Sequence, residues 1–220
     1  MDSKRGKFIV IEGPDGSGKG TVIEKLKERF PEIVYFREPG GTEIGEEIRK
    51  VLLNNPNFNA DPMTEALLFY AVRNENLVTI VGPALKRGKN VIADRFSDST
   101  EVYEFRMNGC NDTRSLNPFY RLDELVVGDY QPDLVIYLDV SPEEAVRRIN
   151  KNSRVDGQNR FDLKPLKYHQ KVRKAYFKAL RRRCCEIIDT NSRRGGSVEE
   201  TIERVCGEAV AIVAGFLRSR

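Results

Sequence analysis

The stretch 7–21, KFIVIEGPDGSGKGT, decides how the rest of the chain is interpreted. It joins an apolar run at 8–11 to a glycine-rich turn that ends with Gly18 and Lys19. Residues 21–30 then place apolar side chains at helical spacing. Because the N–H groups of such a turn and of the following helix N-terminus point at phosphate oxygens, this strand, loop and helix predict a phosphate-binding site.

The predicted phosphate-binding loop spans residues 13–21. All nine of its residues are candidates for binding a nucleoside triphosphate: Gly13, Pro14, Asp15, Gly16, Ser17, Gly18, Lys19, Gly20 and Thr21. Lys19 is expected to reach the β- and γ-phosphates. The GxxxxGK pattern normally continues with a serine or threonine that binds magnesium, but here Gly20 precedes Thr21. We therefore expect Thr21 to hold Mg²⁺ through water, with Asp94 and Glu12 as further oxygen donors.

The wider sequence alternates strand-like and helix-like segments. Predicted strands follow the first one at four places: 33–36, 90–93, 134–140 and 186–188. Helix starts are indicated by Asp61-Pro62 and by two capping boxes, Ser141 with Glu144 and Ser197 with Glu200. This alternation predicts one α/β domain over residues 1–220, a three-layer P-loop NTPase fold with a central parallel sheet of about five strands.

Composition and charge narrow the possible partners. The net charge is only +4, but residues 147–183 carry 14 basic and two acidic residues, or +12, which leaves −8 elsewhere. A basic field of this size suits nucleotide phosphates or nucleic acid. No apolar run approaches the ~20 residues that span a bilayer. Four cysteines without CxxC spacing and a single histidine favour neither a zinc site nor disulfides, so we expect reduced thiols and a cytoplasmic protein.

Two further segments hold candidate site residues. Asp94 and Arg95 follow the third predicted strand, where side chains face the ligand crevice of a parallel sheet. Asp94 is placed to meet magnesium, and Arg95 to contact the transferring phosphoryl group. On the helix that begins near Asp61, Phe69 and Arg73 share a face that could hold a base and a monophosphate. Residues 151–160 are polar, contain glycine and lack periodicity, which predicts a mobile loop.

Other nucleotide-dependent classes fit the sequence less well. Asn150-Lys151-Asn152-Ser153 is similar to the guanine-reading NKxD motif but has serine in place of the aspartate. The HRD and DFG motifs of protein kinases are absent from the sequence. Of the nucleotide-dependent classes, a small-molecule kinase or an ATPase therefore fits the sequence best.

With these pieces in place, the chain resembles thymidylate kinases along nearly its whole length. The segments that carry the resemblance are GPDGSGK, REPGGTEIG, ALLFYAVR, DRFSDSTEVY, PDLVIYLDV and NRFD, in the order and at the spacing of that family. REPGGT and LFYAxR are specific to it. The resemblance implies a doubly wound fold, a mobile lid over ATP at about 150–162, a Mg²⁺ requirement and a homodimer.

Site residues are implied by position in these motifs. The acceptor nucleotide would be held by eight residues: Asp15, Arg49, Phe69, Arg73, Arg95, Ser99, Thr100 and Tyr103. Phe69 would stack on thymine, Arg73 would contact the base or the monophosphate, and Arg49 and Arg95 would hold the acceptor phosphate. Ser99 and Thr100 would read the base edge, Tyr103 would pack under the deoxyribose, and Asp15 would contact the 3′-OH.

Catalysis is implied for Lys19, Arg95, Asp15 and two lid arginines. Animal and yeast members carry an arginine in the phosphate loop, where this chain has Gly16, so it is similar to the bacterial type whose lid arginines act instead. NRFD matches the lid pattern DR[IF]E, which makes Arg160 the first candidate and Arg154 the second. Asn159, Asp162 and Glu104 depart from the family pattern.

The predicted reaction is transfer of the γ-phosphoryl group of ATP to thymidine monophosphate. Two alternatives stay open at this point. One is a kinase for another monophosphate, such as dUMP, dCMP or AMP, since GKGT is also the form found in adenylate kinases. The other is a nucleic-acid-binding P-loop protein that uses the basic segment, although no RRM, KH or helix-turn-helix pattern is present. We expect neither a nucleic-acid nor a membrane partner.

Overall fold

The computed structural model describes residues 5–54, 60–156, 164–192 and 196–219. Five strands form one sheet: β1 (Phe8–Glu12), β2 (Val34–Arg37), β3 (Val91–Asp94), β4 (Leu134–Asp139) and β5 (Cys185–Asp189). Every neighbouring pair is parallel, and the spatial order is β2-β3-β1-β4-β5. Each predicted strand matches an observed strand to within about one residue at either end, because these apolar runs are short and bounded by polar residues.

Nine α-helices occur in the described residues: α1 (Lys19–Arg29), α2 (Glu43–Arg49), α3 (Pro62–Asn76), α4 (Gly82–Lys86), α5 (Ser97–Thr100), α6 (Asn117–Val126), α7 (Pro142–Asp156), α8 (Leu166–Ala179) and α9 (Val198–Arg218). Three π-helical turns continue α2, α3 and α5, at Lys50–Asn54, Leu77–Val81 and Glu101–Phe105. Short 3₁₀ turns lie at Arg106–Asn108, Gly128–Tyr130 and Leu180–Arg182.

The helices cover both faces of the sheet. Successive strand residues point to opposite faces, so Phe8 and Val10 join one buried cluster and Ile9 and Ile11 the other. The first cluster contains residues of α3, α4, α6 and α8, and the second contains residues of α1 and α9. The predicted three-layer α/β fold with a parallel five-stranded sheet is therefore confirmed.

Charged side chains collect at one edge of the sheet. Each strand ends, at its carboxyl end, in a charged residue: Glu12, Arg37, Asp94, Asp139 and Asp189. Parallel pairing aligns these ends, and Ile11 lies opposite both Asp94 of β3 and Ile136 of β4. Ligands of open parallel sheets bind at this edge, which is where the phosphate loop also lies.

Two local predictions around α7 were wrong. Residues 151–156, predicted as loop, continue the helix, because the first strong helix breaker after Pro142 is Gly157. The capping box at Ser141 is only half formed: the Glu144 N–H donates to Ser141 Oγ at 3.3 Å, but the Glu144 carboxylate binds Arg147 and Arg148 instead. The box at Ser197 and Glu200 is complete, as predicted.

None of the helices in the described part of the chain is both long enough and apolar enough to cross a membrane.

Candidate active site

The phosphate loop connects β1 directly to α1. Gly18 adopts a left-handed conformation with φ +90°, and no side chain caps the helix that begins at Lys19. The first N–H groups of α1 therefore lack a side-chain partner and face the adjoining cavity, as a phosphate site requires. Lys19 is buried, and its ammonium donates to the carbonyl oxygens of Gly13 at 2.9 Å and Pro14 at 3.0 Å. Burial, together with the nearby charge of Arg95, lowers the pKa of Lys19 to about 8.

Gly16 lies against α7. Its φ is +77°, and a Cβ atom there would approach the backbone oxygen of Ala145 to 2.7 Å. Arg148 links the phosphate loop to the residue after β5, because its Nη1 donates to the Gly16 carbonyl at 3.2 Å and its Nη2 to the Thr190 carbonyl at 2.6 Å. The packing leaves no room for a larger residue at position 16 without a backbone shift.

The end of β3 presents Asp94 and Arg95 to the loop. Arg95 has a φ of +69°, which is unusual outside glycine. Its Nη2 forms an ion pair with Asp15 at 2.6 Å, and its Nη1 donates to the Gly13 carbonyl at 3.1 Å. Burial alone would raise the pKa of Asp15, but the charges of Arg95 and Lys19 outweigh it and lower that pKa. Asp94 Oδ1 is buried and has no hydrogen-bond partner among the described residues.

A small cavity of about 120 Å³ lies beside this arginine. All eight residues predicted to bind the acceptor line it: Asp15, Arg49, Phe69, Arg73, Arg95, Ser99, Thr100 and Tyr103. Phe69 is half-buried on α3, one helical turn before Arg73, so the predicted shared face exists and points into the cavity. Glu104, which departs from the family pattern, also lines this cavity and is buried.

Arg73 is buried in the wall of this cavity. Its Nε donates to Glu38 Oε2 at 2.9 Å, and its Nη2 donates to Thr100 Oγ1 at 3.0 Å. Its Nη1 is buried without a hydrogen-bond partner in the described residues. The structural role of Glu38 was missed from the sequence, although Glu38 belongs to the REPGGT motif, because nothing local shows that it meets a residue of α3.

Glu12 lies beneath the site rather than in it. Its Oε1 accepts the N–H groups of Phe96 at 2.9 Å and Ser99 at 3.1 Å, and its Oε2 accepts the hydroxyls of Ser99 at 2.7 Å and Tyr176 at 3.2 Å. Burial, and then the charge of Asp98, raise its pKa. Both oxygens already have partners, which favours Asp94 over Glu12 among the two carboxylates predicted to meet magnesium.

A larger cavity of about 630 Å³ adjoins the phosphate loop. Its walls include loop residues 15–21, Asp94, and three basic residues of α7, Arg147, Arg148 and Lys151. The first turns of α9 also contribute Val198, Ile202 and Cys206. No pattern in the sequence predicted that α9 borders a cavity, although Val198 and Ile202 are apolar residues that stay exposed near its N-terminal end.

Three residues line both cavities: Asp15, Arg49 and Arg95. Arg49, near the end of α2, donates to the Pro39 carbonyl at 2.7 Å. Burial, and then the charge of Arg37, lower the pKa of Arg49. Two guanidinium groups and one carboxylate therefore lie where the cavities meet.

Arg160, predicted to lie in the lid, and the side chain of Arg154 are outside the described part of the chain, so their predicted roles stay predictions.

Known proteins resemble this chain over most of its length. The family model described as thymidylate kinase matches residues 11–202. A thymidylate kinase of Clostridium novyi is 42% identical over 207 residues, which is 92% of this chain and 98% of that protein. One from Bacillus velezensis is 42% identical over 183 residues, 80% of this chain and 83% of that protein.

A solved structure is also similar. The crystal structure of thymidylate kinase from Ehrlichia chaffeensis superposes with a TM-score of 0.69 at 29% identity, covering 96% of this chain and 99% of that one. The family model matches most of the chain, and one relative is 42% identical over nearly the full length of both proteins, so the resemblance extends well beyond the phosphate loop. This chain belongs to the thymidylate kinase family.

Proposed function

We propose that this protein transfers the γ-phosphoryl group of ATP to thymidine monophosphate, which gives ADP and thymidine diphosphate for dTTP synthesis. One observation carries the proposal: a phosphate-loop cavity and a smaller cavity meet at Asp15, Arg49 and Arg95. Direct transfer needs donor and acceptor held in line with their charges neutralised, and no protein nucleophile. Two nucleotide sites that share two arginines meet that need.

On the donor side, the loop residues 13–21 hold the triphosphate through backbone N–H groups. Lys19 leaves its contacts with the Gly13 and Pro14 carbonyls and binds the β- and γ-phosphates. Its depressed pKa of about 8 reflects desolvation that phosphate charge would offset. Arg147, Arg148 and Lys151 add positive charge to the same cavity, and Glu144 offsets part of it through ion pairs with the two arginines.

On the acceptor side, Phe69 stacks on thymine, and Arg73 donates to the base through Nη1, the nitrogen without a partner in the described residues. Thr100 steadies Arg73. Tyr103 packs against the deoxyribose, and Asp15 contacts its 3′-OH. Arg49 and Arg95 hold the monophosphate, where bidentate guanidinium groups suit phosphate oxygens. Ser99 already binds Glu12 and Arg95, so Thr100 is the better placed of the two to meet the base.

The residues present fit a magnesium ion that accompanies ATP. Asp94 offers a buried oxygen without a hydrogen-bond partner in the described residues, and Thr21 lines the same cavity. Mg²⁺ is commonly held by one or two protein oxygens together with phosphates and water, so no larger group of carboxylates is needed. Bound there, the ion would neutralise phosphate charge. Asp94 and Thr21 would hold it.

Arginine catalysis is the remaining part of the mechanism. Arg95 contacts the transferring group from the acceptor side, and Arg160, with Arg154 as the second candidate, contacts it from the lid. Support for a lid arginine comes from Gly16, which stands where another branch of the family carries an arginine and which packs too tightly against Ala145 to be enlarged. Closure of the lid would exclude water and suppress ATP hydrolysis.

We also propose a cytoplasmic homodimer. Leu67 and Val78 lie on the outer side of α3 and its π-helical continuation, where they are 50% and 64% exposed. Apolar residues that share an exposed helix face favour a protein interface. Sedimentation of Val78→Asp against the unchanged protein tests this: we expect the variant to sediment as a monomer, and an unchanged molecular mass would exclude this face.

An acceptor panel tests the proposed reaction. Coupled ADP release is measured with ATP, Mg²⁺ and, in turn, thymidine monophosphate, dUMP, dCMP and AMP. We expect the highest kcat/KM with thymidine monophosphate. A higher value with AMP or dCMP would favour the other monophosphate kinases. ATP hydrolysis stimulated by DNA or RNA, and weakened steeply by salt, would instead favour the nucleic-acid-binding alternative.

A further inference from the structure

Tyr176 lies in the last turn of α8 and is fully buried. Its hydroxyl lies within hydrogen-bond distance of three side chains: Arg95 Nη1 at 3.1 Å, Ser99 Oγ at 2.9 Å and Glu12 Oε2 at 3.2 Å. These partners come from β1, from the end of β3 and from α5. A helix distant in sequence therefore reaches the arginine at which the two cavities meet.

The protons in this cluster can be assigned. The Ser99 hydroxyl donates to Glu12 Oε2 at 2.7 Å. The tyrosine hydroxyl has one proton, which Ser99 Oγ, Glu12 Oε2 or, at 3.5 Å, the Gly13 carbonyl accepts, and its oxygen accepts an N–H from Arg95 Nη1. Tyr176 thus supplies a neutral acceptor for a partly buried guanidinium. Phenylalanine at this position would keep the ring and remove that acceptor.

Contacts on two sides hold the Arg95 side chain in place. Its backbone is held at φ +69°. Its Nη2 faces Asp15 at the cavity, whereas its Nη1 lies on the buried side between the Gly13 carbonyl, Ser99 and Tyr176. The inner edge of the guanidinium is thereby fixed, and the outer edge is presented to the junction of the cavities.

We infer that Tyr176 is a positioning residue that sets the location of the Arg95 guanidinium for phosphoryl transfer. The inference rests on the proposed function, in which Arg95 contacts the transferring group. Removal of the hydroxyl should let Nη1 turn toward the Gly13 carbonyl or Ser99, which displaces Nη2 at the cavity. A displacement of about 1 Å in a positioning group lowers turnover by up to ~100-fold.

Tyr137 provides a matched control. It is also fully buried, on β4, and its ring lies 5.2 Å from that of Tyr176. Its hydroxyl has no hydrogen-bond partner in the described part of the chain. Tyr137→Phe and Tyr176→Phe therefore remove the same atom from neighbouring rings of one core, but only the second removes a contact with Arg95.

The experiment compares steady-state kinetics and thermal melting of the unchanged protein and the two variants, with ATP and thymidine monophosphate as substrates. We expect Tyr176→Phe to lower kcat by about 10- to 100-fold and to leave the KM for ATP unchanged. Tyr137→Phe should keep the kcat of the unchanged protein. Both variants should melt in one cooperative transition.

A double-mutant comparison then separates positioning from general packing. In an Arg95→Lys background, which removes the planar guanidinium, Tyr176→Phe should have little further effect on kcat, because the hydroxyl acts through Arg95. An equal fold-loss in both backgrounds would overturn the inference. So would an unchanged kcat in the single variant, or failure of Tyr176→Phe to fold when Tyr137→Phe does.

Failure of the proposed function would look different. If the unchanged protein transferred no phosphoryl group to thymidine monophosphate, the proposed reaction would be refuted without any variant, and the role of Tyr176 with it. An active unchanged protein with an equally active Tyr176→Phe would refute only the inference about Tyr176.

Discussion

Arg73 and Glu38 form an ion pair in the wall of the smaller cavity, with Arg73 Nη2 2.8 Å from Glu38 Oε2 and side chains only 1% and 3% exposed. The pair ties α3 to the segment that follows β2. Burial raises the pKa of Glu38, and the nearby charge of Arg73 opposes that rise. Neither residue can lose its partner without leaving a charge in the interior.

Breaking this pair should destabilise the fold. We expect Arg73→Met to lower the free energy of unfolding by about 3–5 kcal/mol, because it leaves Glu38 buried and unpaired. The loss should be smaller at pH 5 than at pH 8, since Glu38 can then take up a proton. The double variant Arg73→Met/Glu38→Gln should recover part of the loss. Urea denaturation measures each value, and a single variant as stable as the unchanged protein would contradict this account of the pair.

Two glycines of the phosphate loop should respond in opposite ways to alanine. Gly16→Ala should lower the free energy of unfolding by about 1–3 kcal/mol, because φ is +77° and the added Cβ meets the Ala145 oxygen at 2.7 Å. Gly20 is helical with open space around its Cβ position, so Gly20→Ala should raise stability by about 0.5–1 kcal/mol. Chemical denaturation measures the free energy of unfolding of each variant. Equal changes for Gly16→Ala and Gly20→Ala would contradict the packing described for the loop.

ATP binding should take up protons above pH 8. The pKa of Lys19 is lowered to about 8, so at pH 9 most molecules hold this lysine neutral, and binding a triphosphate restores its charge. Calorimetry in two buffers of different ionisation enthalpy should therefore give different binding enthalpies at pH 9 and nearly equal ones at pH 7. Equal enthalpies at pH 9 would mean that Lys19 is already charged in the free protein.

The lid arginine should matter for turnover more than for binding. Arg160→Ala is expected to lower kcat by ~10³ or more, because arginines that meet a transferring phosphoryl group stabilise its transition state. The Kd for thymidine monophosphate should change far less. Lys171→Ala, on the exposed side of α8, serves as the control for loss of one positive charge. A fully active Arg160→Ala protein would remove Arg160 from the mechanism and leave Arg154 to be tested.

Elements whose conformation depends on neighbouring residues could be predicted from the sequence. The strand, loop and helix at 8–29 follow from a β-branched run, glycines and apolar spacing, and all need only neighbouring residues. The positions of Phe69 and Arg73 on one face of α3 follow from helical periodicity. The family motifs then identified eight of the residues that line the smaller cavity.

Long-range partners could not be predicted in this way. Tyr176 hydrogen-bonds Glu12 across 164 residues of sequence, and a tyrosine at that spacing in α8 is indistinguishable from an ordinary core residue. Glu12 was predicted as a further oxygen donor for magnesium, and its two oxygens already accept hydrogen bonds from Phe96, Ser99 and Tyr176. Burial of Arg73 likewise depends on Glu38, 35 residues earlier.

Transfer of a labelled phosphoryl group tests the central claim most directly. The protein is incubated with ATP labelled in its γ-phosphate, Mg²⁺ and thymidine monophosphate, and the nucleotides are separated. We predict that the label appears in thymidine diphosphate in a one-to-one ratio with ADP. Label found only in inorganic phosphate, or retained in ATP, would contradict the assignment of the two joined cavities as donor and acceptor sites.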